Sequence, residues 1–245
     1  MPILQKKYSI IKVTSLSGVV NKVKRPKFSL KSWLKREFQN LFEKRFESRL
    51  GFRAKLIKTE NQINFSLFGD ISAKTNEPIV LGKDNWLFEK TYIKYYVEKV
   101  STPMHILEMH AQAAKDLQDA IVDYGKGFLL IISPNKAAIY PEYLPEYMLT
   151  EPPLEKKSNY DSTIPLFEEY GVNYIDSRKF FLNHKNKEPY LLFTKGGTHW
   201  SYYGAYLIVC EMINVLEKQL NVSLPKLKCQ SVIENNTTYG SDNEI

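Results

Sequence analysis

The chain has 245 residues, which fits one α/β domain, or one domain with an appendage, and excludes a large multidomain machine. Its residues are 43% hydrophobic, 13% aromatic and 25% charged, so it can bury a sizeable core and does not have the composition of a disordered protein. The formal net charge is +7, but residues 1–58 hold 16 of the 34 Lys and Arg residues and three of the 27 acids. That segment therefore carries +13 and the remainder −6.

The uneven distribution of charge allows three interpretations of the basic N-terminal region. A basic arm joined to a mildly acidic body favours an anionic surface near the N-terminus, such as phospholipid headgroups. A solvated basic helix without a partner explains the same charge equally well. Nucleic-acid binding by the arm is a third interpretation, but the body is acidic and no recognition motif is present, so we expect no nucleic-acid partner.

Neither the cysteines nor the hydropathy indicates export. Cys210 and Cys229 form no CxxC, no zinc spacing and no disulfide framework, and Cys210, within an apolar helical run, is predicted to be a buried small hydrophobe. No stretch approaches the ~18 apolar residues of a membrane span, and the N-terminus lacks the apolar core of a signal peptide. As written, the chain is predicted to be soluble and not exported.

The N-terminal region is predicted to be an arm followed by helices. Residues 1–28 have the composition of an irregular basic arm. From Ser29 apolar residues recur at helical spacing, which predicts an amphipathic helix that Ser29 caps and Gly51 ends. A second helix is predicted at residues 52–67.

The rest of the chain alternates helix and strand signals. Residues 79–89, IVLGKDNWLFE, predict two short strands around a turn at Lys83 to Asn85. The elements that follow are a helix near 103–123, a strand at 127–133, a helix near 161–170, a strand at 172–176, a short helix near SRKFFL, the apolar run YLLF at 190–193 and a helix from Ser201 to about Leu220. This alternation predicts an open parallel sheet with flanking helices. The predicted domains are an arm at 1–28, a helical lead-in at 29–78 and an α/β domain at 79–245.

Reactive groups of an open parallel sheet gather on the loops that follow the carboxyl ends of its strands. Two such loops are SPNKAAIYPEYLP at 133–145 and TKGGTHWSYYG at 194–204. His199, in the second, is the best catalytic candidate of the four histidines, because imidazole titrates near neutrality and can act as a general base. A lone histidine is more often structural, so that alternative stays open. No metal-site spacing, P-loop, GxGxxG or GxSxG is present, and no cofactor is expected.

Three motifs in a common order and spacing point to a family. GKDNWLFE at 82–89, SPNKAAIYPEYLP at 133–145 and GTHWSYYGAY at 197–206 resemble the SGNH-hydrolase-like domain of AlgX/AlgJ-type polysaccharide O-acetyltransferases. With the amphipathic stretch before the first motif, the resemblance covers roughly residues 28–220. It implies a three-layer α/β fold in an exported, often membrane-anchored protein of the bacterial envelope that acetylates exopolysaccharide hydroxyls.

The resemblance also implies a triad of aspartate, histidine and serine, in that order, with the aspartate two residues before the histidine. The histidine is His199, but Gly197 stands at the aspartate position. The family's serine lies further downstream in a Gly-Asp-Ser segment after a buried strand. Ser241, in the terminal YGSDNEI, stands in the order Gly-Ser-Asp and is not assigned as the nucleophile. The sequence therefore looks like a copy truncated at both ends, with an apolar segment expected upstream and a Gly-Asp-Ser strand downstream.

These departures predict a loss of activity. A serine nucleophile needs a base, and the base needs a third group to orient it, whose loss costs roughly 10⁴-fold in kcat. Gly197 cannot supply that carboxylate; Asp176 could in principle, although an N-cap role before SRKFF is the better interpretation. The chain is thus predicted to be an inactive O-acetyltransferase-type domain, the alternative being a non-catalytic polysaccharide-binding or scaffold protein of the same pathway.

Substrate contacts are predicted from the same two loops. Lys136 and Tyr140 could contact a sugar through a charged head and an aromatic face, and Trp200 could contribute similarly, although aromatic residues at this spacing also suit a core. The expected partners are an acidic or neutral exopolysaccharide, a membrane-bound acyltransferase that donates acetyl groups, and a membrane surface beside the arm. With the expected export segment restored, the protein would lie in the periplasm or on the outer face of the membrane.

Overall fold

A computed structural model describes residues 24–48, 53–69, 79–99, 101–149 and 157–233. The chain divides into two compact units, one of residues 1–76 with 243–245 and one of residues 77–242. The domain boundaries expected from the sequence stay predictions. None of the helices in the described ranges is long and apolar enough to cross a membrane.

Within its described residues, 24–48 and 53–69, the first unit contains the helices α1 (Leu30–Leu34), α2 (Glu37–Ser48) and α3 (Arg53–Phe68). Ser29 caps α1 as predicted, since its hydroxyl accepts from the backbone N–H of Ser32 in a reciprocal capping box. The single helix expected from Ser29 onward is divided by a turn at residues 35–36, where Arg36 has a φ of 60°. The amide of Gln39 donates to the backbone oxygen of Trp33, one of the carbonyls at the end of α1. The predicted stop at Gly51 lies outside the described residues.

The second unit begins with the strand pair that the sequence predicts. Strands β1 (Ile79–Leu81) and β2 (Leu87–Glu89) are antiparallel and joined by a 3₁₀ turn at Lys83–Asn85. Asp84 and Asn85 both adopt a positive φ, a conformation that short polar side chains tolerate. Helix α4 (Lys90–Glu98), which the sequence analysis did not predict, follows β2 directly.

The parallel sheet is formed by strands from the alternating part of the chain. Strand β3 (Leu130–Ile132) follows α5 (Met104–Asp123), and β4 (Tyr174–Asp176) follows α7 (Asn159–Tyr170). The two strands pair in parallel, with Leu130 opposite Tyr174. The other α-helices in the described ranges of this unit are α6 (Lys136–Ile139), α8 (Ser177–His184) and α9 (Tyr202–Leu220). The α/β class expected from the alternation is thus confirmed, with a helix-rich body and small sheets.

The apolar run YLLF at 190–193 does not form a strand. Its only bridge among the described residues is an isolated antiparallel one between Phe193 and Trp200. Ser201 explains the difference, because its N–H donates to the oxygen of Leu192 and its hydroxyl to the oxygen of Leu191. The same hydroxyl accepts from the N–H of Gly204 and caps α9. The carbonyls of this run are therefore used by the start of a helix rather than by a neighbouring strand.

Two apolar clusters hold the second unit together. The larger contains most of the buried aromatic residues, namely Trp86, Phe88, Tyr140, Phe181 and Phe193. The smaller lies where α5 and α7 pack, and its buried members are Leu107, Ala111, Leu166, Phe167 and Val172. Cys210 is half-buried in α9 rather than fully buried, and neither it nor Cys229 is in a disulfide. The larger cluster lies directly under the loops that carry the candidate site.

Candidate functional site

The two strand-end loops singled out from the sequence are joined through Lys136. Its side chain is buried, with 1% of its surface exposed. The ammonium donates to the backbone oxygens of Leu87, Thr194, Lys195 and Gly197 at 2.6–2.9 Å. It also lies 4.8 Å from the ring centre of Trp86, within reach of a cation–π interaction. Lys136 therefore fixes the loop that leads to His199, and its predicted contact with a substrate stays a prediction.

Tyr140 is also buried beneath the site. Its ring lies 4.7 Å from that of Trp86, centre to centre, and its hydroxyl accepts from the N–H of Leu192 at 3.2 Å. Burial raises the pKa of the Tyr140 phenol above its ordinary value. The neutral phenol thus helps to hold the run before the His199 loop. Its predicted role in sugar binding is likewise not tested by this placement.

His199 lines a small pocket between the two loops. The pocket has a volume of about 300 Å³ and includes the loop residues Ser133 and Asn135, together with Thr198 and Trp200. His199 is exposed, and its imidazole makes no hydrogen bond or ion pair with any residue that the structure describes. Trp200 packs edge-on against Phe181 at 5.7 Å, so part of its ring belongs to the core.

No carboxylate orients the imidazole of His199 within the described part of the chain. Gly197, at the position that the sequence analysis compared with an aspartate, is buried, and its oxygen accepts from Lys136. Asp176 caps α8 as predicted, accepting from the N–H of Lys179 at 2.9 Å, and it also accepts from the hydroxyl of Tyr160 at 2.7 Å. Both carboxylate oxygens of Asp176 therefore have partners other than His199. Ser241 lies outside the described residues.

A larger groove of about 920 Å³ shares Ser133, Pro134 and Asn135 with the His199 pocket. Its other walls come from the end of α4, the start of α7 and the start of α8. The sequence analysis did not identify these walls as functional. The predicted parallel sheet could have indicated them. The carboxyl ends of parallel strands such as β3 and β4 meet at one edge of the sheet, so the loops and helices that follow both strands come together there. The described residues include no group of three or more His, Cys, Asp or Glu side chains that could hold a metal ion.

Comparison with known proteins adds a family to this geometry. A family model described as the SGNH hydrolase-like domain of the acetyltransferase AlgX matches residues 79–238, well over half of the chain. No curated protein matches. Similar solved structures include the O-acetyltransferase domain of Pseudomonas putida AlgJ, at 22% identity over 60% of this chain and 50% of that one, with a TM-score of 0.45. Pseudomonas aeruginosa AlgX is similar at 20% identity over 57% of this chain and 32% of that one, with a TM-score of 0.40.

The chain thus spans half of the AlgJ structure and about a third of the AlgX structure. The family match covers the motifs at 82–89, 133–145 and 197–206, which confirms the resemblance drawn from them. Because the match extends over most of the second unit, the chain belongs to the AlgX-type family of SGNH-hydrolase-like acetyltransferase domains.

Proposed function

We propose that this chain binds exopolysaccharide in an O-acetylation pathway of the bacterial envelope and does not transfer acetyl groups by itself. One observation carries the proposal: His199, the candidate base, faces a pocket in which no described carboxylate orients it. Family membership supports the pathway, and the pocket with its adjoining groove supports polymer binding. The pathway implies a position in the periplasm or on the outer face of the membrane, beside an acyltransferase that supplies the acetyl group.

The chemistry of acyl transfer explains why an unoriented imidazole is expected to be inactive. The base must accept the nucleophile's proton in one tautomer, and the resulting imidazolium needs a negative partner. Gly197 has no side chain to provide either function. Ser133 is the serine that lines the His199 pocket, but a shared pocket without an oriented base does not activate a hydroxyl.

A hydrolysis assay with a chromogenic acetate ester tests the absence of acyl transfer. We expect no turnover above the uncatalysed rate from the wild-type chain. Turnover that disappears in His199→Ala, or in Ser133→Ala, would overturn the proposal and identify a working site. Ser223→Ala, which removes an exposed hydroxyl outside both cavities, is the matched control. Calorimetry with exopolysaccharides tests the proposed polymer binding. If the folded chain binds none of them, that part of the proposal is refuted.

We further propose that the first unit lies against an anionic membrane surface. Phe28, Trp33, Phe38 and Phe42 form a continuous patch, with ring centres of successive neighbours 5.3–6.0 Å apart. The patch is open to solvent, with 47% of Trp33 and 54% of Phe42 exposed. Residues 24–48 also carry eight Lys and Arg against three Glu. Exposed aromatic rings among basic residues suit the boundary between lipid headgroups and acyl chains.

Sedimentation with lipid vesicles tests this second proposal. We expect the chain to bind vesicles of phosphatidylglycerol and phosphatidylcholine more strongly than vesicles of phosphatidylcholine alone, and binding to weaken as salt rises. Trp33→Ser should reduce binding, whereas Tyr124→Ser, which removes an exposed ring from the second unit, should not. Equal binding to both vesicle types, or self-association through the patch without lipid binding, would refute a membrane partner.

A further inference from the structure

The segment that follows α9 turns back and lies along that helix. Asn221 caps the carboxyl end of α9 in a left-handed conformation, with a φ of 51°. Past this turn, the N–H of Leu224 donates to the side chain of Glu217 at 2.9 Å. The ammonium of Lys226 pairs with the same carboxylate and donates to the side-chain oxygen of Asn214 at 2.9 Å. The chain therefore runs from the end of the helix back toward its start.

The two cysteines of the chain lie further along this path. Cys210 is four residues before Asn214, so it lies on the same face of α9, about 6 Å nearer the start of the helix. Cys229 is three residues after Lys226, and three residues of extended chain span at most about 10 Å. Because Lys226 contacts Asn214, Cys229 is within reach of the turn of α9 that carries Cys210.

A tyrosine on the same face of the helix contacts both cysteines. Tyr206 lies one turn before Cys210 in α9. The pKa of its phenol is raised by a hydrogen bond with the side chain of Cys210 and by partial burial, whereas a hydrogen bond from the backbone of Cys229 opposes the rise. One phenol thus joins a cysteine of α9 to a cysteine of the returning segment, in agreement with the path that Lys226 and Leu224 define.

The returning segment leaves its cysteine accessible and able to move. Cys229 is exposed, Cys210 is half-buried, and both are free thiols. Residues 223–233 form neither helix nor strand, so a shift of Cys229 breaks no ladder of backbone hydrogen bonds. Such a shift can bring the two Cα atoms to the separation of about 4.4–6.8 Å that a disulfide requires.

We propose that Cys210 and Cys229 form a disulfide that ties the returning segment to α9. The bond forms by exchange with a disulfide oxidant: one cysteine thiolate attacks a sulfur of the oxidant, and the other cysteine then attacks the mixed disulfide. The two cysteine thiols together lose two protons and two electrons, and the oxidant leaves as two thiols. The inference goes beyond the proposed function and does not depend on polymer binding. It makes the position of the segment depend on the redox state of its surroundings, since oxidising conditions close the bond and reducing conditions open it.

Treatment of the full chain with oxidised glutathione, followed by mass spectrometry, tests the bond. We expect the intact protein to lose two hydrogen atoms without gaining glutathione, and its digest to contain a peptide pair linked through Cys210 and Cys229. The bond closes a loop of about 20 residues in the unfolded chain, so oxidation should raise the midpoint of thermal unfolding by about 6–12 °C. Cys229→Ser, at an exposed position, should abolish both effects.

The double variant Cys229→Ser with Ser223→Cys is the matched control. It keeps two thiols, but the backbone on either side of Ser223 bonds to Glu217, about 10 Å from Cys210 along α9. We expect this variant to take up glutathione without forming the internal bond. Glutathione on both cysteines of the wild-type chain, or linked dimers in place of the internal bond, would overturn the proposal. An internal bond that formed as readily in the control, or that left the midpoint unchanged, would also overturn it, because the segment would then not be held along α9.

Discussion

Replacing Lys136 with methionine should destabilise the second unit by about 3–5 kcal/mol, because several backbone oxygens would lose their hydrogen-bond donor. Methionine keeps most of the length and volume of the side chain but has no donors. Four backbone oxygens that now accept from the ammonium, in one buried and three partly buried hydrogen bonds, would lose their shared partner.

The magnitude follows from the contacts of the ammonium. Each buried acceptor left unsatisfied costs about 1–3 kcal/mol. Three ammonium hydrogens serve four oxygens, so at least one bond is shared, and the variant also avoids the cost of burying a charge. The shared bond and the avoided burial of a charge both make the expected loss of stability smaller than the sum of four separate hydrogen bonds. At about 2–4 °C per kcal/mol for a unit of this size, the midpoint of thermal unfolding should fall by about 6–20 °C.

Urea unfolding followed by circular dichroism measures the loss, with Lys218→Met as the control because its side chain is exposed on α9. We expect the control to stay within about 0.5 kcal/mol of wild type. If Lys136→Met changed stability no more than Lys218→Met does, the ammonium would not be the group that holds β2 and the loop before His199 together.

Three further substitutions test other parts of the packing. A Cβ on Gly204 would lie 2.6 Å from the backbone oxygen of Leu192, so Gly204→Ala should cost about 1–3 kcal/mol in urea unfolding, and a neutral result would refute this close approach. Burial and a hydrogen bond to a glutamate raise the pKa of Tyr174 to about 12, so its contribution to stability is present below pH 10 and is lost as the pH rises from 10 to 12. Between pH 10 and 12 the free energy of unfolding should fall less steeply with pH in Tyr174→Phe than in wild type. The same slope in both proteins would contradict the linkage. Asp176→Ala removes a helix cap and the acceptor of Tyr160, so we expect a loss of at least about 1 kcal/mol, and an unchanged midpoint would show that neither bond matters.

Local signals in the sequence predicted the elements correctly where one or two neighbouring residues decide the structure. Ser29 and Asp176 cap helices because a short polar side chain can reach the N–H groups two or three residues ahead. The turn at Lys83–Asn85 lies between two short apolar runs that form β1 and β2. The order and spacing of three motifs also sufficed to predict the family. All of these depend on residues that are close in sequence or on a pattern that can be read along it.

The placement of Lys136 shows where such reasoning ends. A lysine in a polar strand-end loop suggests a solvent-facing, substrate-binding charge, yet its ammonium lies in the interior. The acceptors that stabilise it come from β2 and from residues 194–197, which are 49–61 positions away in sequence. A buried charge is tolerated only where such partners converge, and no local pattern reports that convergence.

The larger groove is likewise a product of tertiary structure. Lys99, Asn135, Asp161 and Arg178 belong to four separate segments, and each has an ordinary local setting at the end of a helix or in a loop. The amino-acid sequence by itself determined many of the helices and strands, the caps at Ser29 and Asp176, and the family, because those depend on short-range hydrogen bonding and on spacing along the chain. Only the packing of β3 beside β4, with α4, α7 and α8 around their carboxyl ends, decided which side chains share the groove.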